Sequence, residues 1–429
     1  KRSFEVLPAL SVRGPELRRS LRTVTAAWMF GIVWMTCVTG SRTNIFGRML
    51  GFSNTHFSIL TAIPFIATFM QLVATVLIER TGLRKYQFLT CGVFHRLLWV
   101  PMAMIPLVIG VPSTTAVWIM LLLMMVSQML NAMATPAWMN WMGDLIPRRI
   151  RGRYFAMRGI ITSAFNIPIV ILLGLYLDWV QDESLPVSAD AQPLLLYSIM
   201  GIFAIAGVFG AIDILLFLTL REVKPTVAGG SVTPSVDIRV SPPSAGLLGR
   251  ARYFGRYLAA AVDQLLLDPL RDHHFRRYVL FGATITFAMT VSAPFFWRNC
   301  LEWLKLSQLA TDAIFLIVGP VMGILAARPM GRLLDRWGRR PVLMLGAAMT
   351  CLSILPYFFA SRHFGTPAWL AGAMNAAAGV FGAGEQVTTQ TPVVPWLIMA
   401  MSPAIGAVGW GAVNNAKMNI ILAFSDGHG

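Results

Sequence analysis

The stretch Gly331-Arg-Leu-Leu-Asp335-Arg336-Trp-Gly338-Arg339-Arg340 has an imperfect copy in the first half of the chain, Thr75-Val-Leu-Ile-Glu79-Arg80-Thr-Gly82-Leu-Arg84-Lys85. In both copies an acid, an Arg, a Gly and a basic pair recur at matching offsets. The glycine permits a tight turn between helices, the acid can pair with an Arg or a helix N-terminus, and basic residues favour the cytoplasmic side of a membrane. One copy could be any short basic loop, but two copies in equivalent places indicate two related halves.

The composition excludes a soluble protein. Of the 429 residues, 56% are hydrophobic and 13% are charged, whereas globular proteins have about 45–50% and about 25%. So few charges cannot cover a soluble surface. The apolar residues form long blocks and lack the alternation of a membrane barrel, so the sequence predicts an all-α polytopic membrane protein.

Ten segments are apolar and long enough to cross the hydrocarbon core, which takes about 20 residues of helix. Numbered in chain order as spans 1 to 10, they lie near residues 23–40, 57–78, 87–110, 114–142, 157–177, 194–220, 278–297, 312–330, 341–360 and 393–423. An even number of spans returns the chain to the side on which it began.

The basic residues lie in alternate connections, with 28 of the 35 on one side of the predicted membrane. The opposite side carries Arg42, Arg48, Arg298, Lys305 and Arg362, and the connection after span 5 is purely acidic. By the positive-inside rule, the N-terminus is cytoplasmic and the protein lies in an inner or plasma membrane. The net charge of +16 is therefore a topology signal and does not mark a nucleic-acid partner.

Residues 221–275 form the one long connection and divide the chain. The first half of this connection is rich in Pro, Gly and Ser, which is typical of a flexible linker. Its second half, about 250–267, has the apolar spacing of an amphipathic helix on the membrane surface. The predicted division is a cytoplasmic tail (1–22), a six-helix bundle (23–220), the linker (221–275) and a partial second bundle (276–429).

The repeated loop resembles the signature of the major facilitator superfamily of secondary transporters, G-x-L-x-D-R-x-G-R-R/K. Residues 331–340 match it closely, and the first copy departs at Thr75, Glu79 and Leu83. The connection Asp144-Leu-Ile-Pro147-Arg-Arg-Ile-Arg151-Gly152-Arg153 is similar to the family's connection between spans 4 and 5. The resemblance assigns these loops to the conformational change. The implicated residues are Glu79, Arg80, Gly82, Arg84, Asp144, Arg151, Gly152, Arg153, Gly331, Asp335, Arg336, Gly338, Arg339 and Arg340.

The resemblance also implies twelve spans in two six-helix bundles, of which six and about four are present, so we expect a chain truncated at its C-terminus. An insertion is expected near 364–390, as an external hairpin, a re-entrant segment or an extra span. Spans 11 and 12 are expected to be missing, and Glu79 would then lack the partner that the family provides at the start of span 11.

The implied function is secondary active transport by alternating access, as a permease or exporter and as a symporter or antiporter, without enzymatic activity. Such proteins bind solute near the midplane between their repeats, and in this family spans 1, 4, 7 and 10 surround that cavity. Amides, hydroxyls and aromatic rings there suit a small polar organic solute, although the same residue types also pack membrane helices together. The candidates are Trp34, Asn131, Trp138, Thr284, Trp410, Asn414 and Asn415.

Arg96 and Asp213 are ionisable residues deep in spans 3 and 6, at similar distances from the cytoplasmic ends. Charges inside a membrane are costly and usually paired, so we expect an ion pair within the first bundle. The pair is either a structural clamp, which is the simpler interpretation, or a proton-coupling relay. We further expect the Asp335 carboxylate to contact the N-terminus of a first-bundle helix near residues 151–154.

The remaining features indicate no chemistry. Cys37, Cys91, Cys300 and Cys351 form no metal-type pair, so we predict no metal, cofactor or catalytic residue. The expected partners are a solute, the lipid bilayer and optionally protons, and the protein is expected to be a monomer. Two alternatives stay open: a membrane enzyme, for which Asp272, His273 and His274 are the one candidate cluster, and a transporter-like receptor or scaffold. A P-loop is absent from the sequence, so an ATP-driven pump is unsupported.

Overall fold

The computed structural model describes residues 14–146, 148–182, 185–221, 255–256, 259–260, 263, 267–361, 363–380 and 387–425. Its helices α1 to α17 are Gly14–Val38, Ser41–Leu50, Asn54–Ala67, Met70–Thr81, Arg84–Leu97, Trp99–Ile109, Thr114–Leu145, Arg148–Val180, Pro193–Leu215, Asp268–Arg271, His273–Arg298, Gln308–Ala313, Gly319–Trp337, Arg339–Leu352, Pro356–Phe359, Ala368–Val380 and Val393–Ser425. A 3-10 turn at Leu216–Thr219 follows α9, and π-helical turns at Asn299–Trp303 and Ile314–Val318 follow α11 and α12.

Ten stretches of the described helices are long and apolar enough to cross a membrane, and they coincide with the ten predicted spans. They are Gly14–Val38, Asn54–Ile78, Arg84–Ile109, Thr114–Gly143, Met157–Val180, Pro193–Thr219, His273–Trp303, Gln308–Leu334, Arg339–Phe359 and Val393–Lys417. The prediction of an all-α polytopic membrane protein is therefore confirmed. Large apolar side chains project from these helices, such as Phe69, Phe287 and Phe358, which are 70–78% exposed, as lipid-facing surfaces require.

Glycines end the two helices that precede the repeated loops. Helix α4 ends at Gly82 with φ +66°, and α13 ends at Gly338 with φ +79°. Side chains are strained in this region of backbone space, so glycine is preferred at both positions. The Gly82 amide donates to the Ile78 carbonyl at 2.8 Å and the Gly338 amide to the Leu334 carbonyl at 3.0 Å, so the two turns close in the same way.

The described chain divides into two compact units, and unit 1 comprises Lys1–Val38, Gly47–Thr162 and Ile199–Ser292. Within it, α7 packs against α3, α4 and α5. Trp141 on α7 is fully buried and contacts Phe88 and Phe217, whose ring centroids lie 6.2 Å and 5.9 Å from its own. The contact with Phe88 is edge-to-face and that with Phe217 is tilted, and ring contacts of this kind favour one arrangement of the packed helices.

Unit 2 comprises Thr39–Phe46, Ser163–Ser198 and Ala293–Gly429, so it joins segments from before and after the linker. Helix α17 packs against α13 and α14. The closest approach is at two glycines: a Cβ atom added to Gly409 would lie 2.8 Å from the Gly346 carbonyl oxygen, and one added to Gly346 would lie 2.8 Å from the Gly409 carbonyl oxygen. Small residues permit this contact between backbones, as is common between membrane helices.

The segment near 364–390 contains α16, which has 13 residues and is shorter than the roughly 20 that cross a membrane. Hydrogen bonds join its two flanks: the Thr366 amide donates to Thr389 O at 2.9 Å, and the Asn375 Nδ2 donates to Val387 O at 2.9 Å. The segment therefore returns to its own start, and its assignment as an insertion stays a prediction.

Several predicted features lie outside the described residues. These are the flexible part of the linker, most of the surface helix at 250–267, and Asp426 near the C-terminus. The predicted bounds of the tail, bundles and linker stay predictions, and α1 begins at Gly14, inside the predicted tail.

Substitution of Gly409 by Ala tests the packing of α17. We expect it to cost about 1–3 kcal/mol of stability, because the added methyl would overlap the backbone of α14. Gly411→Ala is the matched control on the same helix, since a Cβ atom there meets nothing within 4 Å. Thermal unfolding of the two purified variants measures the difference, and equal melting temperatures would contradict the assignment.

Candidate functional site

An ion pair lies inside unit 1 between α5 and α9. The Arg96 Nη2 atom lies 3.2 Å from the Asp213 Oδ2 atom, and the two side chains are 8% and 3% exposed. Because a lone buried charge is strongly unfavourable, each residue neutralises the other. We call the residues packed around this pair the Arg96–Asp213 cluster; it contains Trp34, His95, Arg96, Trp99, Ser127 and Asp213.

Aromatic and hydroxyl groups complete this cluster. The Arg96 guanidinium carbon lies 3.5 Å from the Trp34 ring centroid, which adds a cation–π contact to the ion pair. The His95 Nδ1 and Ser127 Oγ atoms lie 2.7 Å apart. Trp34, predicted as a cavity residue, is therefore held in place by the same arginine that pairs with Asp213.

Two glycines make room for the cluster. A Cβ atom at Gly31 would lie 2.6 Å from Asp213 Oδ2, and one at Gly210 would lie 2.8 Å from both Arg96 Cδ and Trp34 Cδ1. Any larger residue at either position would therefore displace the ion pair or the indole. Packing therefore explains why glycine occupies these positions of α1 and α9. The periodicity of the sequence does not indicate this requirement.

Arg158 follows the basic connection after span 4 and lies at the start of predicted span 5. Its guanidinium carbon lies 4.9 Å from the Trp28 ring centroid and 5.6 Å from that of Trp138. Its Nε atom is buried and has no hydrogen-bond partner among the residues that the structure describes. One sequence signal could have found it: Arg158 falls at the start of an apolar span, one turn after Tyr154 on the same face of α8.

Tyr154 ties α8 to α1 at this point. Burial raises the pKa of its hydroxyl, which therefore stays protonated at neutral pH and donates to the Leu21 carbonyl at 3.1 Å. The same hydroxyl lies 3.2 Å from Thr25 Oγ1. These bonds hold the part of α8 that carries Arg158 against the start of span 1.

A second buried ion pair lies in unit 2, where Arg42 donates to the Asp312 carboxylate and both side chains are 0% exposed. The Ser41 amide donates to Asp312 Oδ1 at 3.1 Å. The carboxylate is thus satisfied by a charge and a backbone donor, which is the condition for burying it. In the predicted topology Arg42 is a loop charge and Asp312 is the first residue of span 8.

Helix α8 reaches the same cluster through Asp178 and Gln181. The two Asp178 oxygens accept from the backbone amides of Gln308 and Leu309 at 2.6 Å and 3.0 Å, which caps the start of α12. The Gln308 side chain donates to Gln181 and faces Ser41. We call Ser41, Arg42, Asp178, Gln181, Gln308 and Asp312 the Arg42–Asp312 cluster; it connects residues from before and after the linker within unit 2.

The other predicted cavity residues fall in both units. Asn131 and Thr284 belong to unit 1 and are exposed, and the Thr284 hydroxyl donates to its own helix at Leu280 O. In unit 2, Asn414 and Asn415 are exposed and Trp410 is 36% exposed, with Lys417 Nζ 5.6 Å from its ring centroid. Contact of these residues with a solute stays a prediction.

The loop motifs are described only in part. Gly82 and Gly338 form the turns above, Arg84 is 8% exposed, and Arg336, Arg339 and Arg340 are exposed while Gly331 is half-buried. The side chains of Glu79, Arg80, Asp144, Arg151, Arg153 and Asp335, with Gly152, lie outside the described part. The predicted contact of Asp335 with a helix N-terminus therefore stays a prediction. Within the described ranges, no group of three or more His, Cys, Asp or Glu residues could hold a metal ion.

Comparison with known proteins agrees with this architecture. The sequence profile of the Major Facilitator Superfamily matches residues 23–416. The fold is similar to that of the xylose transporter XylE from E. coli, with a TM-score of 0.52 at 14% identity over 94% of this chain and 85% of that chain. A mutant of the nucleoside transporter NupG also has a TM-score of 0.52, at 14% identity over 94% of this chain and 91% of that one. No curated protein sequence matches significantly.

Substitutions of Arg96 and Asp213 test whether they act as a pair. We expect Asp213→Leu alone to cost about 3–5 kcal/mol, because it leaves a buried guanidinium without its counter-ion. The double variant Arg96→Met/Asp213→Leu should recover most of that loss. Expression level and melting temperature of the purified proteins give the comparison, and a double variant no more stable than the single one would contradict the pairing.

Proposed function

Because the chain belongs to the major facilitator superfamily, and is therefore an integral membrane secondary transporter and not an enzyme, we propose that it moves a small polar organic solute by alternating access. The profile match covers nearly all of the described spans. The N-terminus is placed in the cytoplasm by the distribution of basic residues, and the protein acts as a monomer in an inner or plasma membrane.

The observation that carries alternating access is the Arg42–Asp312 cluster. Asp312 follows the linker, whereas Arg42 and Asp178 precede it. By the predicted topology all three lie on the non-cytoplasmic side. A charge pair that is wholly buried when formed, and solvated when separated, provides a contact that can be made and broken as that side closes and opens.

The solute class is supported by the side chains that the cavity prediction named. Trp138 and Trp410 offer ring faces, whereas the Arg96 guanidinium covers one face of Trp34. Asn131, Asn414 and Asn415 offer amide donors and acceptors. Xylose and nucleosides, named for the similar solved structures, are solutes of the same polar organic kind, although identities of 14% indicate a shared fold alone.

Proton coupling is the finer part of the proposal. Asp213 is a buried acid in a membrane span and its partner Arg96 is fixed by Trp34, so a change in its protonation would alter a charge balance inside the unit. The competing role is a structural clamp. If a folded Arg96→Met/Asp213→Leu variant still shows proton-coupled uptake, the pair is a structural clamp and not a proton relay.

Reconstitution into vesicles tests the function itself. We expect saturable uptake of at least one compound from a panel of radiolabelled sugars, nucleosides, amino acids and organic acids, with empty vesicles as the baseline. Folded, correctly inserted protein that supports no flux of any of them would instead favour a receptor or scaffold.

Asp312→Asn tests the proposed closure. In a variant whose only cysteine is Cys300, which is 0% exposed, we expect maleimide labelling to be about tenfold faster or more after this change, because the buried arginine loses its counter-ion. Arg298→Gln is the control: it breaks the partly exposed pair with Glu302, 2.8 Å apart in the same unit, and such pairs contribute little. Equal labelling rates in Asp312→Asn and Arg298→Gln would argue against the closure.

A further inference from the structure

The described interior of unit 1 contains more positive than negative charge. Arg96 and Arg158 are two cations, and among the acids whose side chains the structure describes, Asp213 is the one that interacts with both of them. Protonation of His95, which also borders Arg96, would only add to the excess. Asp213 forms a 3.2 Å ion pair with Arg96. Its single negative charge therefore neutralises the positive charge of Arg158 only in part.

The Arg158 side chain is held in place, but its hydrogen-bonding capacity is not fully used. Trp28 and Trp138 flank its guanidinium at 4.9 Å and 5.6 Å, and Tyr154 anchors the same stretch of α8 to α1. Within the described part of the chain, its Nε donor is buried without a hydrogen-bond partner. A contact with a ring face does not supply the hydrogen-bond acceptor that this donor lacks. Arg158, Trp28 and Trp138 are all half-buried, so a ligand can reach them.

The same three residues are joined to the Arg96–Asp213 cluster. A Cβ atom at Gly31 would meet Asp213 Oδ2 at 2.6 Å and the Trp28 ring at 2.9 Å, so the indole and the carboxylate lie side by side. Arg158 therefore lies near the buried ion pair of spans 3 and 6. Trp28, Trp138 and Arg158 themselves lie on spans 1, 4 and 5, and spans 1 and 4 carry predicted cavity residues.

We propose that Arg158, between Trp28 and Trp138, binds the carboxylate or phosphate group of the transported solute, which makes the substrate an organic anion. The inference rests on the proposed function, because it names the substrate class of the same transporter. A guanidinium presents several N–H donors to one anionic group, and an anion would supply the missing charge and the missing acceptor together. A neutral solute could supply the acceptor alone, and a cation would be repelled.

Binding to the purified protein in phosphatidylcholine nanodiscs tests this inference without requiring transport. The probes are matched pairs of an anion and its neutral analogue: benzoate with benzamide, nicotinate with nicotinamide, and phenyl phosphate with phenol. We expect at least one anion to raise the melting temperature and quench tryptophan fluorescence in a saturable way, while its neutral partner does not. In Arg158→Gln the half-saturating concentration should rise at least tenfold.

The controls separate this site from general charge effects. Arg22→Gln removes the same charge from an exposed position on α1 and should bind the anion as the wild type does. Arg158→Lys keeps the charge without the planar donors and should bind with intermediate strength, which keeps the test usable if Arg158→Gln does not fold. Nanodiscs with phosphatidylglycerol distinguish a lipid headgroup from a soluble solute.

Three outcomes would overturn the proposal. No anion binds better than its neutral partner, anion binding is unchanged in Arg158→Gln, or phosphatidylglycerol raises the melting temperature while no soluble anion does. Saturable, Arg158-dependent anion binding in a protein that shows no vesicle flux would support this site and remove the proposed function. Uptake of a neutral solute, with no anion preferred in the binding assay, would support the proposed function and remove the anion site.

Discussion

Buried charge in an apolar interior is the constraint on which the polar parts of this structure depend. A guanidinium or carboxylate taken out of water is tolerated only where a counter-charge and hydrogen-bond partners replace the lost solvent. Arg96 with Asp213, and Arg42 with Asp312, supply the counter-charge with nearly or wholly buried side chains, although the Nε atoms of both arginines have no hydrogen-bond partner among the described residues. Each pair joins helices that are remote in the sequence, so neutralisation and helix association occur together.

Glycines leave the space in which the Arg96–Asp213 pair forms, and in unit 2 they permit a close approach of two helix backbones. Gly31 and Gly210 border the Arg96–Asp213 cluster at distances that exclude a methyl group, and Gly346 with Gly409 does the same for two helices of unit 2. Lipid offers no hydrophobic force between such helices, so association depends on van der Waals contact and on polar bonds. Small residues and buried polar groups are therefore complementary parts of one packing arrangement.

The two clusters suggest separate roles in transport. The Arg42–Asp312 cluster connects residues from both sides of the linker within unit 2, which suits a contact that opens and closes. The Arg96–Asp213 cluster lies within unit 1, and Arg158 lies beside it with a positive charge that Asp213 neutralises only in part. A solute-coupled conformational change requires a solute that binds one state better than the other, and the proposed roles of the two clusters are a contact that distinguishes the states and a group that binds the solute.

The amino-acid sequence by itself determined the ten spans, the family and the turns at Gly82 and Gly338, because hydrophobic length, charge bias and glycine conformation are local properties. Counting residues along the helices also put Arg96 and Asp213 at one depth. Only the tertiary structure decided that Arg42 pairs with Asp312, and that Arg158 lies against Trp28 and Trp138 instead of in a basic loop. Which residues meet across such distances in the chain depends on the rotation and tilt of each helix. An almost uniformly apolar span has little periodicity, so its sequence indicates neither the rotation nor the tilt.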